Sequence, residues 1–575
     1  MNFLSHRWAK CLIVTASVAL LASPIAAQTS FDLSNVARNI INLVRPSVSG
    51  AYLAGNQSLA ELSTEDAARF YQDAAEADWD NNMLVERAFI ALAADGQIGK
   101  AASTARRSLE LDRNNDLAKL IVATEALKER RYSSVERQLE NVTPGSFSGI
   151  TAYILRAWAL VGDNKGAEAD TLMKDLGDSG LEDFLVFHRA LMAETSGDQK
   201  LALQLAERAY DVEPYVARIA EVYARLLANN GRFDEATDVL DEYEAQGISH
   251  PLITSVREAV DQQRKPGAFA TNVQIGAAEM FHGIGIALTR DRSFDLALLF
   301  MRLGTYLDPS ADVISLAVGQ ILDVAGQHED ANSIYDAIPA TSAMKATAVV
   351  RIAQNLDNMG DREEAIRRLT NIVAINPEDI EAVAALGDLL RTDEQYLEAA
   401  DAYTKALDIT GGEQASDWRY YYVRGIAYER AKEWPKAEAD FLRALDLNPD
   451  QPQVLNYLGY SWIDMDMHLD RALGMIEKAV EQQPQDGYII DSLGWAFYKL
   501  GRLDEAVETL ERSVMLLPND PEINDHLGDA YWKIGRKNEA RFQWTIAKSV
   551  DDIGVVTKRV DPKLADGLTP ANETK

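Results

Sequence analysis

Apolar positions along this chain fall into paired helical stripes that repeat at a fixed interval. Over 454–547 a Leu–Gly pair is followed three residues on by an aromatic, nine or ten further by an alanine in a second stripe, and four later by a bulky residue. This happens three times, with Gly459, Gly494 and Gly528 at steps of 35 and 34. Stripes of period 3.6 predict helices, and two per interval predict a helical hairpin. A single hairpin cannot bury its apolar face, so each is expected to stack on the next.

The same register can be followed upstream. From 271 to 550 the small-residue place falls at Gly285, Gly319, Ala353, Gly387, Gly425, Gly459, Gly494 and Gly528. The matching second-helix alanines are Ala297, Ala331, Ala365, Ala399, Ala437, Ala472, Ala506 and Ala540. Pro309, Pro377, Pro449, Pro484 and Pro518 close repeats where the ring cannot continue a helix. From 48 to 261 the pattern is weaker, with the place at Gly55, Phe89, Ala123, Ala157, Ala190 and Ala224. Phe89 and the stretch around Val135 match poorly, so two of these repeats read as degenerate. The predicted architecture is all-α, a solenoid of stacked hairpins in two consecutive arrays. The break between them is placed at 262–270, where Gln262-Gln263-Arg264-Lys265-Pro266-Gly267 reads as a helix-stopping linker.

The ends lie outside the repeats. Residues 1–27 join a basic start (Arg7, Lys10) to a short apolar run and small residues at 23–27, the pattern of an export signal cleaved after Ala27. Cys11, the only cysteine, precedes that run and does not end it, so it does not fit a lipidation site; the chain is expected to be exported and periplasmic. Residues 28–47 carry Phe31, Val36, Ile40, Leu43 and Val44 at helical spacing, a capping or docking helix. The tail 551–575 loses the pattern and is expected to be disordered.

Composition narrows the function classes. The 89 acidic residues exceed the 57 basic ones, for a formal charge of −32, and loss of Arg7 and Lys10 with the signal takes it to −34. Such a surface repels phosphate backbones, so nucleic acid is not an expected partner. Without a cysteine after cleavage there is no disulfide, thiolate nucleophile or zinc thiolate site. Ser342-Ala343-Met344-Lys345 spells S-x-x-K, but no K-T-G accompanies it, and Ser342 reads as a helix-start residue. Residues 464–470 (Asp464, Asp466, His468 and Asp470 among them) resemble a metal loop, yet coincide with the inserted residue of one repeat and read as a solvated turn. No catalytic, cofactor or metal site is expected, and no non-repeat stretch is long enough for a separate catalytic domain such as a glycosyltransferase.

Function is expected on the face of each first helix opposite its packing face, three before, one after and four after the glycine. In the last four repeats this gives Tyr422, Ile426 and Glu429, then Asn456, Tyr460 and Ile463, then Asp491, Trp495 and Tyr498, then Asp525, Asp529 and Trp532. All but Ile426, Glu429 and Ile463, extended by Tyr488, are the expected partner-binding residues. Aromatics beside polar groups are what protein-binding surfaces concentrate. The alternative for these rings is packing between adjacent repeats.

These motifs resemble the tetratricopeptide repeat family over roughly 48–550. The resemblance implies a right-handed superhelix with an inner groove. Asp491, Asp525 and Asp529 do not suit the basic clamp with which some members hold peptide carboxylates. NYLGYSW, DGYIIDSLGWAFYKLGR and INDHLGDAYWKIGR further resemble a group of proteobacterial envelope proteins. That group includes a lipoprotein adaptor of a carboxyl-terminal processing protease. It implies an envelope scaffold that presents cell-wall hydrolases to a protease through its N-terminal helices, though this chain departs in lacking the lipidated cysteine. A further reading is attachment to peptidoglycan or an exported polysaccharide, with groove aromatics as stacking platforms.

Overall fold

The computed structural model describes residues 46–176, 181–245, 250–569 and 572. The expected signal at 1–27 and the helix expected from Phe31 to Arg45 lie outside the described residues. Among them are thirty α-helices, one short 3-10 turn and no strand, and no helix is long and apolar enough to cross a membrane. Fourteen hairpins, from Val48–Ala60 with Thr64–Ala77 to Pro521–Lys533 with Lys537–Val550, account for all but two of the helices. The chain is an α-solenoid.

Each hairpin closes at the small-residue place. A methyl group on Gly387 would lie 2.7 Å from the Tyr403 ring, one on Gly425 2.7 Å from Phe441, and one on Gly494 2.6 Å from Leu510. Gly319 meets Tyr335 and Gly528 meets Trp544 in the same way. The bulky residue stands sixteen positions after the small one in each of these pairs. It fills the space that the missing side chain leaves, at a separation real Cβ atoms do not reach. The poorly matching Phe89 obeys the same rule with the sizes exchanged: its partner position holds Ala105, and both are fully buried. Volume is conserved even where the motif is not. Proline then ends the second helix and an aspartate starts the next hairpin. After Pro377, Pro484 and Pro518 come Asp379, Asp486 and Asp520, whose carboxylates accept the free N–H groups of Ala382, Ile489 and Ile523.

Two helices have no second-helix partner. Pro251–Asp261 packs on Ala217–Asn229 after the sixth hairpin, and Val555–Asp566 packs on Lys537–Val550 after the fourteenth. Each covers the last hairpin of a run. The second corrects an expectation: 551–575 is not a patternless tail, because 555–566 is helical and buries Val556, Val560 and Lys563.

Residues 262–270 form no regular helix, and the hydrophobic core nevertheless continues across them from Ala51 to Ile352. The reason is the hairpin Val273–Arg290 with Phe294–Leu307. It lies against Asn82–Ala94, Asp116–Lys128, Phe147–Gly162 and Glu182–Thr195, the first helices of four successive hairpins. Gly276 sits against the Trp158 ring and Gly283 against Phe184. Phe147 meets Phe300 edge to face at 5.7 Å between centroids. Gln274 Nε2 donates to the carbonyl of Leu127 at 2.8 Å, and Lys128 Nζ to that of Leu307 at 2.9 Å, at the open ends of helices. Arg218 bridges Glu221 at 2.7 Å and Glu279 at 3.1 Å. The Arg218 charge opposes the burial of the Glu279 carboxyl, whose pKa is held down at about 2. His188 is packed among Trp158, Phe184 and Phe187, and burial pushes its pKa down to about 4. The inner face of four of the first array's six hairpins is therefore filled by the chain's own seventh hairpin.

Helix approach at the small-residue place sets the sign of two glycine substitutions. Gly387→Ala should lower unfolding free energy by about 1–3 kcal/mol through overpacking against Tyr403. Gly474, mid-helix with open space at its Cβ position, should gain about 0.5–1 kcal/mol as alanine. Urea denaturation followed by helical circular dichroism measures both.

Candidate partner-binding groove

The inner face of the second array is built from the first helices of its hairpins. Glycine packing points one side of each helix at its own partner and turns the opposite side inward. Structure places the ten expected residues on two levels of that face. Tyr488 is open, with 59% of its surface exposed, and Tyr460, Asn456, Tyr422 and Trp532 are half-buried. Trp495, Tyr498, Asp525 and Asp529 are buried, which corrects the expectation that they present themselves to a partner, and Asp491 is buried at the edge of a cleft that it helps to line.

The cause is packing between neighbouring first helices. Trp495 stacks on Tyr498 at 4.6 Å and 10° and on His526 of the next repeat at 4.2 Å and 16°. Tyr422 packs on Tyr457 and Phe441 at 6.0 and 6.2 Å. His526 Nδ1 lies 2.9 Å from Asp491 Oδ2, and its Nε2 lies 3.5 Å from Glu522. Although burial opposes protonation, the Asp491 and Glu522 carboxylates push the imidazole pKa up to about 10. Burial opposes the Glu522 charge too, and His526 with Arg559 brings its pKa down to about 2.

Asp525 and Asp529 are covered by the terminal helix. Lys563 Nζ, fully buried, donates to Asp525 Oδ1 at 2.7 Å and to both Asp529 oxygens at 2.8 Å. Arg559 Nε donates to Asp525 Oδ2 at 2.6 Å, and the same guanidinium reaches Glu522 at 2.8 Å. Asp529 Oδ1 also accepts from Trp544 Nε1 at 3.0 Å. Trp532 is closed off by Gly567 and by Lys537, whose ammonium lies 4.1 Å above its ring. Sequence reasoning missed Arg559 and Lys563, and a signal existed. They stand 34 residues after Asp525 and Asp529, so the register runs one helix further with the charge reversed. Pro562 at the small-residue place hid it.

Two openings lie along the second array's inner face among the described residues. A cleft of about 360 Å³ is lined by Asn456, Tyr460, Asp464, Tyr488, Asp491 and Glu522, among others. A longer groove of about 1120 Å³ runs between Pro251–Asp261 and the helices Lys345–Asn358 and Ile380–Thr392. Glu258, Glu378, Asp379, Glu381 and Asp388 line it, with no lysine or arginine among its lining residues. Ser342 also lines it, and its hydroxyl accepts the Met344 N–H at 3.1 Å while Lys345 Nζ turns to the carbonyls of Tyr335 and Asp336. The S-x-x-K pair thus serves the turn before Lys345–Asn358. In 464–470, Asp466 and His468 take left-handed backbone and the His468 ring packs edge-on to Trp462 at 4.9 Å, so the inserted residue is absorbed in the turn.

Family models described as tetratricopeptide repeat match 189–251, 350–414 and 418–451, and one described as TPR repeat matches 494–535. Over these residues the chain carries tetratricopeptide repeats. Its repeats are similar to TPR repeat-containing protein PA4667 of Pseudomonas aeruginosa, 29% identical over 168 residues covering 29% of this chain and 27% of the relative. They are also similar to Superkiller complex protein 3 of Mus musculus, 29% identical over 134 residues, 22% of this chain and 8% of that one. The chain thus spans about a quarter or less of the length of these relatives. Among solved structures it is similar to the Cut9–Hcn1 hetero-tetramer of APC/C, at 14% identity and TM-score 0.38 over 93% of this chain and 99% of that one.

Two measurements probe the charge ladder of this tetratricopeptide array. Lys563→Met should cost about 3–5 kcal/mol in urea denaturation, because it takes the Lys563 ammonium from buried Asp529 and leaves Asp525 to Arg559 alone. The folded chain holds the His526 proton up to a pH of about 10, whereas the unfolded chain releases it near 6.5. The stability it contributes is therefore whole below 6.5 and declines as pH rises toward 10. Urea midpoints across that range should fall, and should fall less in His526→Gln.

Proposed function

We propose that this tetratricopeptide repeat protein is an exported, non-catalytic scaffold that joins protein partners along the inner face of its second array. One observation carries the reading: the inner face of the second to fifth hairpins is occupied by Val273–Leu307, whereas the second array keeps a groove of about 1120 Å³ and a cleft of about 360 Å³ open. Peptide segments bind such faces by burying a few aromatic or charged anchors against a prepared surface. The basic start, short apolar run and small residues of 1–27 support export to the periplasm.

The resemblance to envelope adaptors supports a narrower form. In it the chain presents peptidoglycan hydrolases to a carboxyl-terminal processing protease, with the N-terminal segment engaging the protease. Added to purified protease and hydrolase, the chain should speed cleavage, and deletion of Phe31 to Arg45 should reduce the effect. An unchanged rate removes the adaptor form. Crosslinking in cells followed by mass spectrometry should recover envelope proteins attached near Tyr488 and the 341–420 groove. Recovery of none, with binding to peptidoglycan fragments or exported polysaccharide in a glycan screen, would replace the scaffold by the attachment reading.

A further inference from the structure

We infer that the cleft between Tyr460 and Tyr488 is a recognition site for a lysine or arginine side chain, so that the partner segment seated on this inner face is basic. The inference rests on the inner face being the binding face and adds the chemistry of its occupant.

The first observation is the terminal helix. At Asp525 and Asp529 the inner face receives Arg559 and Lys563 from the chain itself, seated at 2.6–2.8 Å. One repeat earlier the equivalent of Asp525 is Asp491, 34 residues before it, and beside Asp491 the face is open. The chain thus shows what this row of carboxylates holds where an occupant is supplied. At the cleft, which Arg430 and His526 also line, it supplies His526 to Asp491 but no helix to cover the opening.

The second observation is the balance of groups around that cleft. His526 and Arg559 offset Asp491 and Glu522. Glu429 accepts the Tyr457 hydroxyl at 3.1 Å and has Arg430 at 3.6 Å. Asp464 lines the same cleft and makes no ion pair among the described residues. The side-chain oxygen of Asn456, also in the lining, receives no hydrogen bond. A carboxylate and an amide oxygen, both without donors, call for an N–H-rich group. Burial, together with Asp491, Asp464 and Glu522, raises the Tyr460 phenol, and Asp520 does the same to Tyr488, as expected where the potential is negative.

The third is the pair of rings. Tyr488 is 59% exposed and Tyr460 half-buried on the same wall. A cation over a phenol face gains from the ring quadrupole, and more as it is desolvated. This array already uses that contact internally, with Arg536 4.1 Å above the Tyr531 ring and Arg471 5.0 Å above Trp462. Upstream, the long groove is lined by five carboxylates and no cation, so a basic segment continuing from the cleft meets the same sign of charge.

Fluorescence anisotropy of the whole chain with a labelled alternating Lys–Ala peptide tests this, at a salt concentration of about 0.15 M to screen long-range attraction. The peptide should bind, and its Glu–Ala counterpart should not. Tyr488→Ala should weaken binding about fivefold and Asp464→Asn about threefold. Asp504→Asn removes the same charge from an exposed first-turn position of Leu503–Leu516 and should leave affinity unchanged. Melting curves should be the same for all three, since each side chain is exposed. An equal loss from Asp504→Asn, or no loss from Tyr488→Ala, would show diffuse attraction and overturn the site; so would equal binding of the Glu–Ala peptide. Envelope proteins crosslinked as strongly to Tyr488→Ala as to the parent chain would remove this inference and keep the scaffold. Loss of peptide binding in Tyr488→Ala with no protein crosslinked would do the reverse.

Discussion

The distance at which the two helices of a hairpin cross, at a residue with little or no side chain, is the constraint on which the whole solenoid depends. A ring or branched side chain from the second helix occupies the place of the absent one, so the backbones approach closely and the contact has one geometry. Because that side of the first helix is committed to its partner, the opposite side must face the inner surface. The same contact that holds a hairpin together thus determines which residues are offered for binding. The exchange of sizes at Phe89 and Ala105 indicates that the pair conserves volume rather than residue type.

An inner face made this way is a liability as well as a resource, because apolar and charged groups on it need partners. The chain meets the need twice from within. In the first array the occupant is Val273–Leu307, held by apolar packing on Trp158, Phe184 and Phe147 and by the Arg218–Glu279 pair. At the far end it is Val555–Asp566, held mainly through Lys563 and Arg559. The two seats differ in chemistry: the first is mainly apolar and continuous with the core, while the second is a buried ionic ladder. What lies between them is the accessible part of the inner face, and its lining is acidic and aromatic.

The ladder explains why an aspartate-rich row can be buried at all. Asp491, Glu522, Asp525 and Asp529 would repel one another and lose hydration, but His526, Arg559 and Lys563 interleave with them. Every carboxylate of the row has a cation within hydrogen-bonding or ion-pair distance, which is the condition for tolerating buried charge. Removing one member therefore unbalances its neighbours as well, and couples the end of the stack to the open cleft through Glu522 and Asp491.

The hairpins, their register and the closing glycines were legible in the amino-acid order, because each hairpin closes on a contact sixteen or seventeen residues apart. The Gly387–Tyr403 and Gly528–Trp544 pairs can be read from spacing alone. The ladder of inward positions was legible too, as a set of residues on one side of a helix. Whether a given member is open was not, because that depends on what another part of the chain brings to it. Trp495 and Tyr488 occupy the same face of one helix, yet one is sealed by His526 from the next repeat and the other is exposed. Asp525 and Asp529 are closed by Lys563, more than thirty residues away, and the inner face of four first-array hairpins by a hairpin from beyond the 262–270 connection. Local spacing decided the repeat; tertiary packing decided which of its faces were left for a partner, since burial is a property of the neighbours and not of the residue.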